Sequence, residues 1–186
     1  IILVNDCSTD NCGIICDGYA LNDSRIKVIH NSNNLKQAVS RNIGINMAIG
    51  QYLAFLDPDD WVDIDFYEKL YLSAIKSIAD IAKSRSIRFI DGKTSIPTSF
   101  NKFISKGIKR KKPLYLLFTN EHWTAIYKRE LILNNGIVYP DIRNAEDDVF
   151  LMQASYYSSS IALVQNTFHY YRQHNKSTVA IKDWPY

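Results

Sequence analysis

Short apolar runs alternate with helical patterns over the first hundred residues. Residues 1–5 predict a strand, 6–11 a polar turn, and 12–20 a short helix carrying Ile15, Cys16 and Tyr19 inward. A second strand follows at 26–30, a loop at 31–34, and a helix over 35–49 stopped by Gly50. The uncharged run 52–56 predicts a third strand. The next helix begins near Asp63 and ends before Asp80, with Tyr67, Leu70, Tyr71, Ala74, Ile75 and Ile78 at i, i+3, i+4 and i+7 spacing. Residues 81–90 predict a partly exposed strand, because Lys83, Arg85 and Arg88 interrupt it. This alternation is that of βαβ units and predicts an α/β fold, a mainly parallel central sheet flanked by helices.

The pattern weakens over 91–113 into Gly, Lys, Ser and Pro-rich sequence with one short apolar helix around 100–104. Beyond it come a strand at 124–128, a helix at 129–134 closed by Asn135-Gly136, a helix from Glu146 to about Tyr156, and a strand at 161–165 that leads into an aromatic and basic tail. At 186 residues and 46% hydrophobic content, the chain suits one well-buried core and not two full domains. Its first residues, Ile1-Ile2-Leu3-Val4, form an interior strand without a starting Met, cap or turn. We expect further sequence upstream.

Cys7, Cys12 and Cys16 lack the paired spacing of a zinc site, and their odd number argues against a disulfide framework. Free thiols in a reducing compartment fit them. No apolar stretch approaches the roughly 20 residues needed to span a bilayer, and no signal-peptide pattern opens the chain. The net charge of +3 is mild, but Lys106, Lys109, Arg110, Lys111 and Lys112 place five positive charges in seven residues. That segment reads either as a solvated loop or as a contact for anionic lipid or an acidic substrate. No nucleic-acid-binding motif accompanies it.

Candidate chemistry enters at Asp57-Pro58-Asp59-Asp60, directly after the apolar run that ends in Leu56. Clustered carboxylates suit hard cations such as Mg²⁺ and Mn²⁺. The competing reading is a turn in which Asp59 or Asp60 caps the following helix. Asp6 ends another strand at its carboxyl end, which is where open parallel sheets bind ligands. Two strands thus bring acidic groups to one edge.

Asn5-Asp6-Cys7-Ser8-Thr9-Asp10, then Arg41-Asn42-x-Gly44, then Gly50-x-Tyr52-x-x-Phe55-Leu56-Asp57-Pro58-Asp59-Asp60, then Glu146-Asp147-Asp148, in that order and spacing, resemble family 2 glycosyltransferases of the GT-A fold. The resemblance runs from Ile1 to about Ser177 and implies one domain over 1–186, with a nucleotide-sugar half at 1–92, an acceptor half at 93–186 and a further N-terminal strand. It implies a donor, a nucleotide-diphosphate sugar and most simply a UDP-sugar, held by Asp6, Arg41, Asp57 and Asp60. Mn²⁺ or Mg²⁺ would sit on Asp59 and Asp57, with His174 of the Tyr171-Arg172-Gln173-His174 tail completing its shell. Asp147 would be the catalytic base of an inverting displacement. Glu146 and Trp123 would hold a glycan acceptor, and Asp148 would cap the helix. The segment departs from the family pattern at Lys36 and Ser40, which stand where Gly and Ala are usual.

The implied setting is bacterial polysaccharide or lipooligosaccharide synthesis in the cytoplasm, with Lys106 to Lys112 as a peripheral contact for the inner face of the plasma membrane. Two other readings stay open. One is a catalytically impaired fragment or non-catalytic nucleotide-sugar or glycan-binding module. The other, a nucleotidyltransferase, needs a Gly- and Lys-containing loop that this sequence lacks.

Overall fold

The computed structural model describes residues 1–90, 92–95, 121–142 and 144–173. Its elements in chain order are β1 (Ile2–Asn5), α1 (Cys12–Asn22), β2 (Lys27–His30), α2 (Lys36–Met47), β3 (Tyr52–Ala54), β4 (Trp61–Val62), α3 (Phe66–Ser77), β5 (Ile81–Ile90), β6 (Lys93–Thr94), β7 (Ala125–Lys128), α4 (Arg129–Asn134), α5 (Glu146–Tyr157) and β8 (Ile161–Gln173). A 3₁₀ turn, His122–Thr124, leads into β7. The expected helix around 100–104, the basic segment Lys106 to Lys112, and His174 lie outside the described residues.

β1 and β2 pair in parallel as a sheet of their own, and the larger sheet runs β3-β7-β5-β8-β4, with β6 on β5. The expected parallel pairing holds for β1 with β2 and β5 with β8, while β7 runs antiparallel to both β3 and β5, and β4 antiparallel to β8. Strand direction depends on how the chain returns across the sheet, which local periodicity does not encode. β8 is also far longer than the five residues the pattern suggested. Its polar and aromatic half, Phe168 to Gln173, pairs with Arg85 to Ile90 of β5. Backbone pairing there overrides a sequence that reads as a surface tail.

Period-two alternation puts the sheet's side chains into two cores. Ala125 and Tyr127 of β7, Ile81 of β5 and Leu53 of β3 face Ala38 and Ile45 of α2, Leu131 and Ile132 of α4, and Phe150, Leu151 and Ala154 of α5. On the other face Ile126, Ala82 and Ala162 meet Phe66, Leu70 and Ala74 of α3. Phe150 anchors the first core, stacked on Tyr139 at 4.2 Å and edge-on to Phe55 at 5.3 Å. Burying a side chain of that kind stabilises the fold by about 1.5–3 kcal/mol.

Two expected inward faces differ. In α1 no residue is buried, and Ile15 and Tyr19 are exposed. The partly covered positions are the small Gly13, Cys16, Gly18 and Ala20, since the helix packs on a two-stranded sheet. In α3, Phe66, Leu70 and Ala74 form the buried stripe, whereas Ile78 is 86% exposed. Ile78 ends the helix in the left-handed conformation at φ 49°, and the Ala79 N–H closes the cap on the Ala74 carbonyl at 2.8 Å.

Candidate active site at the strand ends

β1 and β3 end beside a cavity of about 820 Å³ whose lining includes Val4, Asp6, Gln37, Arg41, Leu53 and Asp57. Among the described residues β1 pairs only with β2, and β3 only with β7, so this cavity lies between the two sheets. It gathers three of the residues expected at the donor site, Asp6, Arg41 and Asp57.

Asp6 joins β1 to the start of α2. Its Oδ1 accepts hydrogen bonds from Asn31 Nδ2 at 2.8 Å and from the Leu35 N–H at 2.8 Å. Burial works against its ionised form. The bonds from Asn31 and Leu35, with smaller help from Ser40 and Lys36, outweigh burial and hold the carboxyl below its usual range. The two departures from the family pattern have distinct consequences here. Lys36 adopts φ 67°, a conformation that costs a residue with a Cβ roughly 1 kcal/mol and that Gly adopts freely. Ser40 is buried and accepts from Asn31 Nδ2 at 3.1 Å, so its hydroxyl helps hold the Asp6 partner.

Arg41, on α2, is the junction of the site. Its Nη2 donates to Asp57 Oδ1 at 2.8 Å and its Nη1 to Glu146 Oε1 at 3.4 Å, while the guanidinium carbon lies 5.2 Å from the Tyr139 ring centre. Only 11% of the side chain is exposed. One guanidinium therefore links the acidic loop after β3 to the first residue of α5. Gln37, one turn earlier, also donates to Asp57 Oδ1 at 3.2 Å.

The loop 57–60 does not cap α3. That helix starts at Phe66, preceded by Asp65, and the Asp60 N–H closes a turn on the Asp57 carbonyl. Asp60, expected to touch the sugar donor, is instead turned into the protein with its side chain fully enclosed. Its Oδ2 pairs with His169 Nε2 at 2.9 Å and its Oδ1 accepts the Arg172 N–H at 2.9 Å. It fastens the loop to β8. Asp57 and Asp59 remain partly exposed, all-oxygen donors that suit Mn²⁺ or Mg²⁺. Among the described residues no group of three His, Cys, Asp or Glu side chains forms a ready metal cage. Two carboxylates still fit an ion whose other ligands are substrate phosphates and water.

Glu146, Asp147 and Asp148 occupy the first turn of α5, where the helix dipole favours negative charge. The preceding Ala145 takes φ 64°, and Asp148 is not the cap. Asp147 Oδ1 instead accepts the Asp148 N–H at 3.0 Å. Burial, then the charge of Asp147, pushes the Asp148 carboxyl up. His122 Nδ1 stands 3.8 Å from Asp147 Oδ2.

Trp123 stacks on His169 at 4.8 Å and Tyr171 at 5.5 Å, both on β8. His169 is thus a packed residue. Burial pushes the Tyr171 phenol up, and the charges of Asp60, Asp59 and Asp57 add to that. Trp123, Glu146, Asp147, Asp59 and Asp60 do not line the large cavity. Arg41 connects Glu146 to it. Sequence reasoning passed over His122 and Gln37. Neither carries a motif signal, and only the packing brings them to carboxylates.

The model of "Glycosyl transferase family 2" matches residues 1–135. A putative glycosyltransferase, EpsH, of Bacillus subtilis (strain 168) is 30% identical over 187 residues, covering 96% of this chain and 54% of its own length. A cholesterol galactosyltransferase of Borreliella burgdorferi is 31% identical over 182 residues, covering 91% of this chain and 50% of its own. The crystal structure of S. aureus TarS 1-349 in complex with UDP-GlcNAc superimposes with a TM-score of 0.79 at 21% identity, over 98% of this chain and 52% of that one. The chain spans about half the length of the curated relatives it matches.

Proposed function

This chain belongs to glycosyl transferase family 2, with the GT-A fold, and from that premise we propose that it forms the donor-binding and catalytic part of an inverting glycosyltransferase. The donor is a nucleotide-diphosphate sugar, with a UDP-sugar the first choice, since the TarS structure that shares the fold was solved with UDP-GlcNAc. The acceptor is a glycan in polysaccharide or lipooligosaccharide synthesis.

The observation that supports this reading most is the double contact of Arg41. A donor-side carboxylate, Asp57, and the head of the Glu146-Asp147 helix are held by one side chain. Donor and acceptor chemistry require that proximity, because attack and departure occur at one carbon. Asp6 offers an acceptor to a base edge at the end of the cavity, and Asp57 and Asp59 would hold Mn²⁺ or Mg²⁺, with His174 the candidate third ligand. When bound, such an ion neutralises charge that builds on the departing diphosphate. Asp147 takes the proton of the acceptor hydroxyl as its oxygen attacks. Trp123 and Glu146 border the acceptor side, while Asp60 serves the site by holding the acidic loop to β8.

No helix among the described residues is long and apolar enough to cross a membrane. We propose a cytoplasmic enzyme that meets a membrane-bound acceptor through Lys106 to Lys112.

The test is a panel of nucleotide sugars with the full-length protein, with and without Mn²⁺, scored by release of the nucleoside diphosphate in the presence of glycan acceptors. Turnover with a UDP-sugar is expected, and Asp147→Asn should lower kcat by about 10²–10⁴, the usual worth of a positioned base, while UDP binding persists. Near-normal turnover by Asp147→Asn would refute the assignment of the base. Nucleotide-sugar binding without transfer to any acceptor would favour a binding module.

A further inference from the structure

His122 is a polar side chain in an apolar box. It is 1% exposed, and the rings of Tyr139, Phe55 and Phe150 surround it at 5.5, 5.7 and 6.3 Å. Among the described residues neither ring nitrogen has a hydrogen-bond partner. A buried donor left unmade is costly, and apolar side chains of the same shape fill such boxes without that cost. The imidazole therefore needs a reason to be there. One acceptor is close: Nδ1 lies 3.8 Å from Asp147 Oδ2, less than 1 Å beyond hydrogen-bond length.

The two groups are unequal in freedom. His122 is fixed by its ring contacts and by its backbone carbonyl, which accepts the Tyr127 hydroxyl at 2.7 Å. Asp147 is 33% exposed and can turn toward the ring. Its Oδ1 is already tied to the Asp148 N–H, so Oδ2 is the oxygen whose direction is open. Hydrogen bonds of this kind are commonly long in the empty enzyme and shorten when substrates close the site.

We propose that His122 is a positioning residue for Asp147, donating its Nδ1–H to Asp147 Oδ2 and so fixing the carboxylate that takes the acceptor proton. The inference rests on the reading of Asp147 as the base. Burial keeps the ring neutral, and the nearby Arg41 guanidinium acts in the same direction. A neutral ring carries one N–H, and Asp147 Oδ2 is the acceptor that stands near Nδ1 among the described residues. The acceptor hydroxyl's proton passes to Asp147 alone, and His122 neither gains nor loses one. A neutral partner also avoids the drawback of a cation, which would hold Asp147 ionised too firmly to accept that proton.

Nitrogen-15 shifts of His122 in the full-length protein test the geometry without any turnover assay. The Nδ1–H tautomer is expected, reverting toward the Nε2–H form common in free histidine when Asp147 is changed to Ala. An Nε2–H ring in the wild type, or a tautomer indifferent to Asp147→Ala, would overturn the proposal. Kinetics with the donor identified by the nucleotide-sugar panel then separate positioning from structure. His122→Phe keeps the aromatic packing and should lower kcat about tenfold to hundredfold, the usual effect of removing an orienting partner, with donor KM and UDP affinity within twofold. His122→Asn, which returns a donor near Nδ1, should recover part of the loss. A normal kcat in His122→Phe beside a dead Asp147→Asn overturns this inference alone, whereas an active Asp147→Asn overturns the base and the inference together.

Discussion

Replacing Arg41 by Ala removes the guanidinium that bridges the acidic loop after β3 and the head of α5. Two carboxylates then face each other across the vacated space, Asp57 at 25% and Glu146 at 13% side-chain exposure. An exposed ion pair contributes about 0–1 kcal/mol. Removing one partner of a buried pair costs about 3–5 kcal/mol, because the other charge is left without compensation. With the guanidinium 11% exposed and one short bond at 2.8 Å, the case lies nearer the buried limit. The cation against the Tyr139 ring at 5.2 Å adds a lesser share, about 0.5–1 kcal/mol. We expect Arg41→Ala to lose about 2–4 kcal/mol of stability, read as a fall in urea midpoint at unchanged slope. Arg41→Lys should fall between the two, since an ammonium cannot present a planar fork to both carboxylates. A double-mutant cycle with Asp57→Asn isolates the pair, with an expected coupling of about 1–3 kcal/mol. A loss under about 0.5 kcal/mol for Arg41→Ala, typical of an ordinary surface change, would refute the reasoning, and so would a wild-type midpoint in Arg41→Lys.

Two further predictions address the metal and a buried lysine. Asp59→Ala should weaken UDP binding measured by calorimetry when Mn²⁺ is present and leave the metal-free value almost unchanged; equal affinity with Mn²⁺ would remove Asp59 from the metal's ligands. Lys83 is enclosed and donates from Nζ to the Glu121 carbonyl and to Thr124 Oγ1 at 2.7 Å. Burial pushes it down from 10.5 to about 7, only partly offset by the charge of Glu121. Between those values the unfolded chain binds the extra proton, so stability rises with pH, by up to about 1.4 kcal/mol per unit, and the full cost of burying the ammonium applies below about pH 7. Relative to Lys83→Met, the wild type should gain stability from about pH 7 to pH 9 in urea titrations, and a pH-independent difference would contradict it.

Much of the site was legible because it is local. Asp6 and Asp57 close apolar runs, and a carboxylate that follows such a run emerges where the strand ends, as both do beside the cavity. The acidic first turn of α5 was legible for the same reason, since its dipole and its three carboxylates are contiguous. Asp60 was misread because its two bonds reach His169 and Arg172, more than a hundred residues away. Lys83 illustrates the opposite error. Its charge marked β5 as partly exposed, yet the side chain is enclosed, because a carbonyl and a hydroxyl from the turn before β7 receive it.

The sequence by itself determined most of the longer strands and helices, the α/β class, and the carboxylates available for chemistry, because periodicity acts over a few residues. Tertiary structure alone decided strand direction, the length of β8, the inward turn of Asp60 and the grip of Arg41 on Asp57 and Glu146. Each of these depends on groups distant in the chain, and their meeting is set by burial of two cores against one sheet, a condition on the whole fold that no short window of sequence contains.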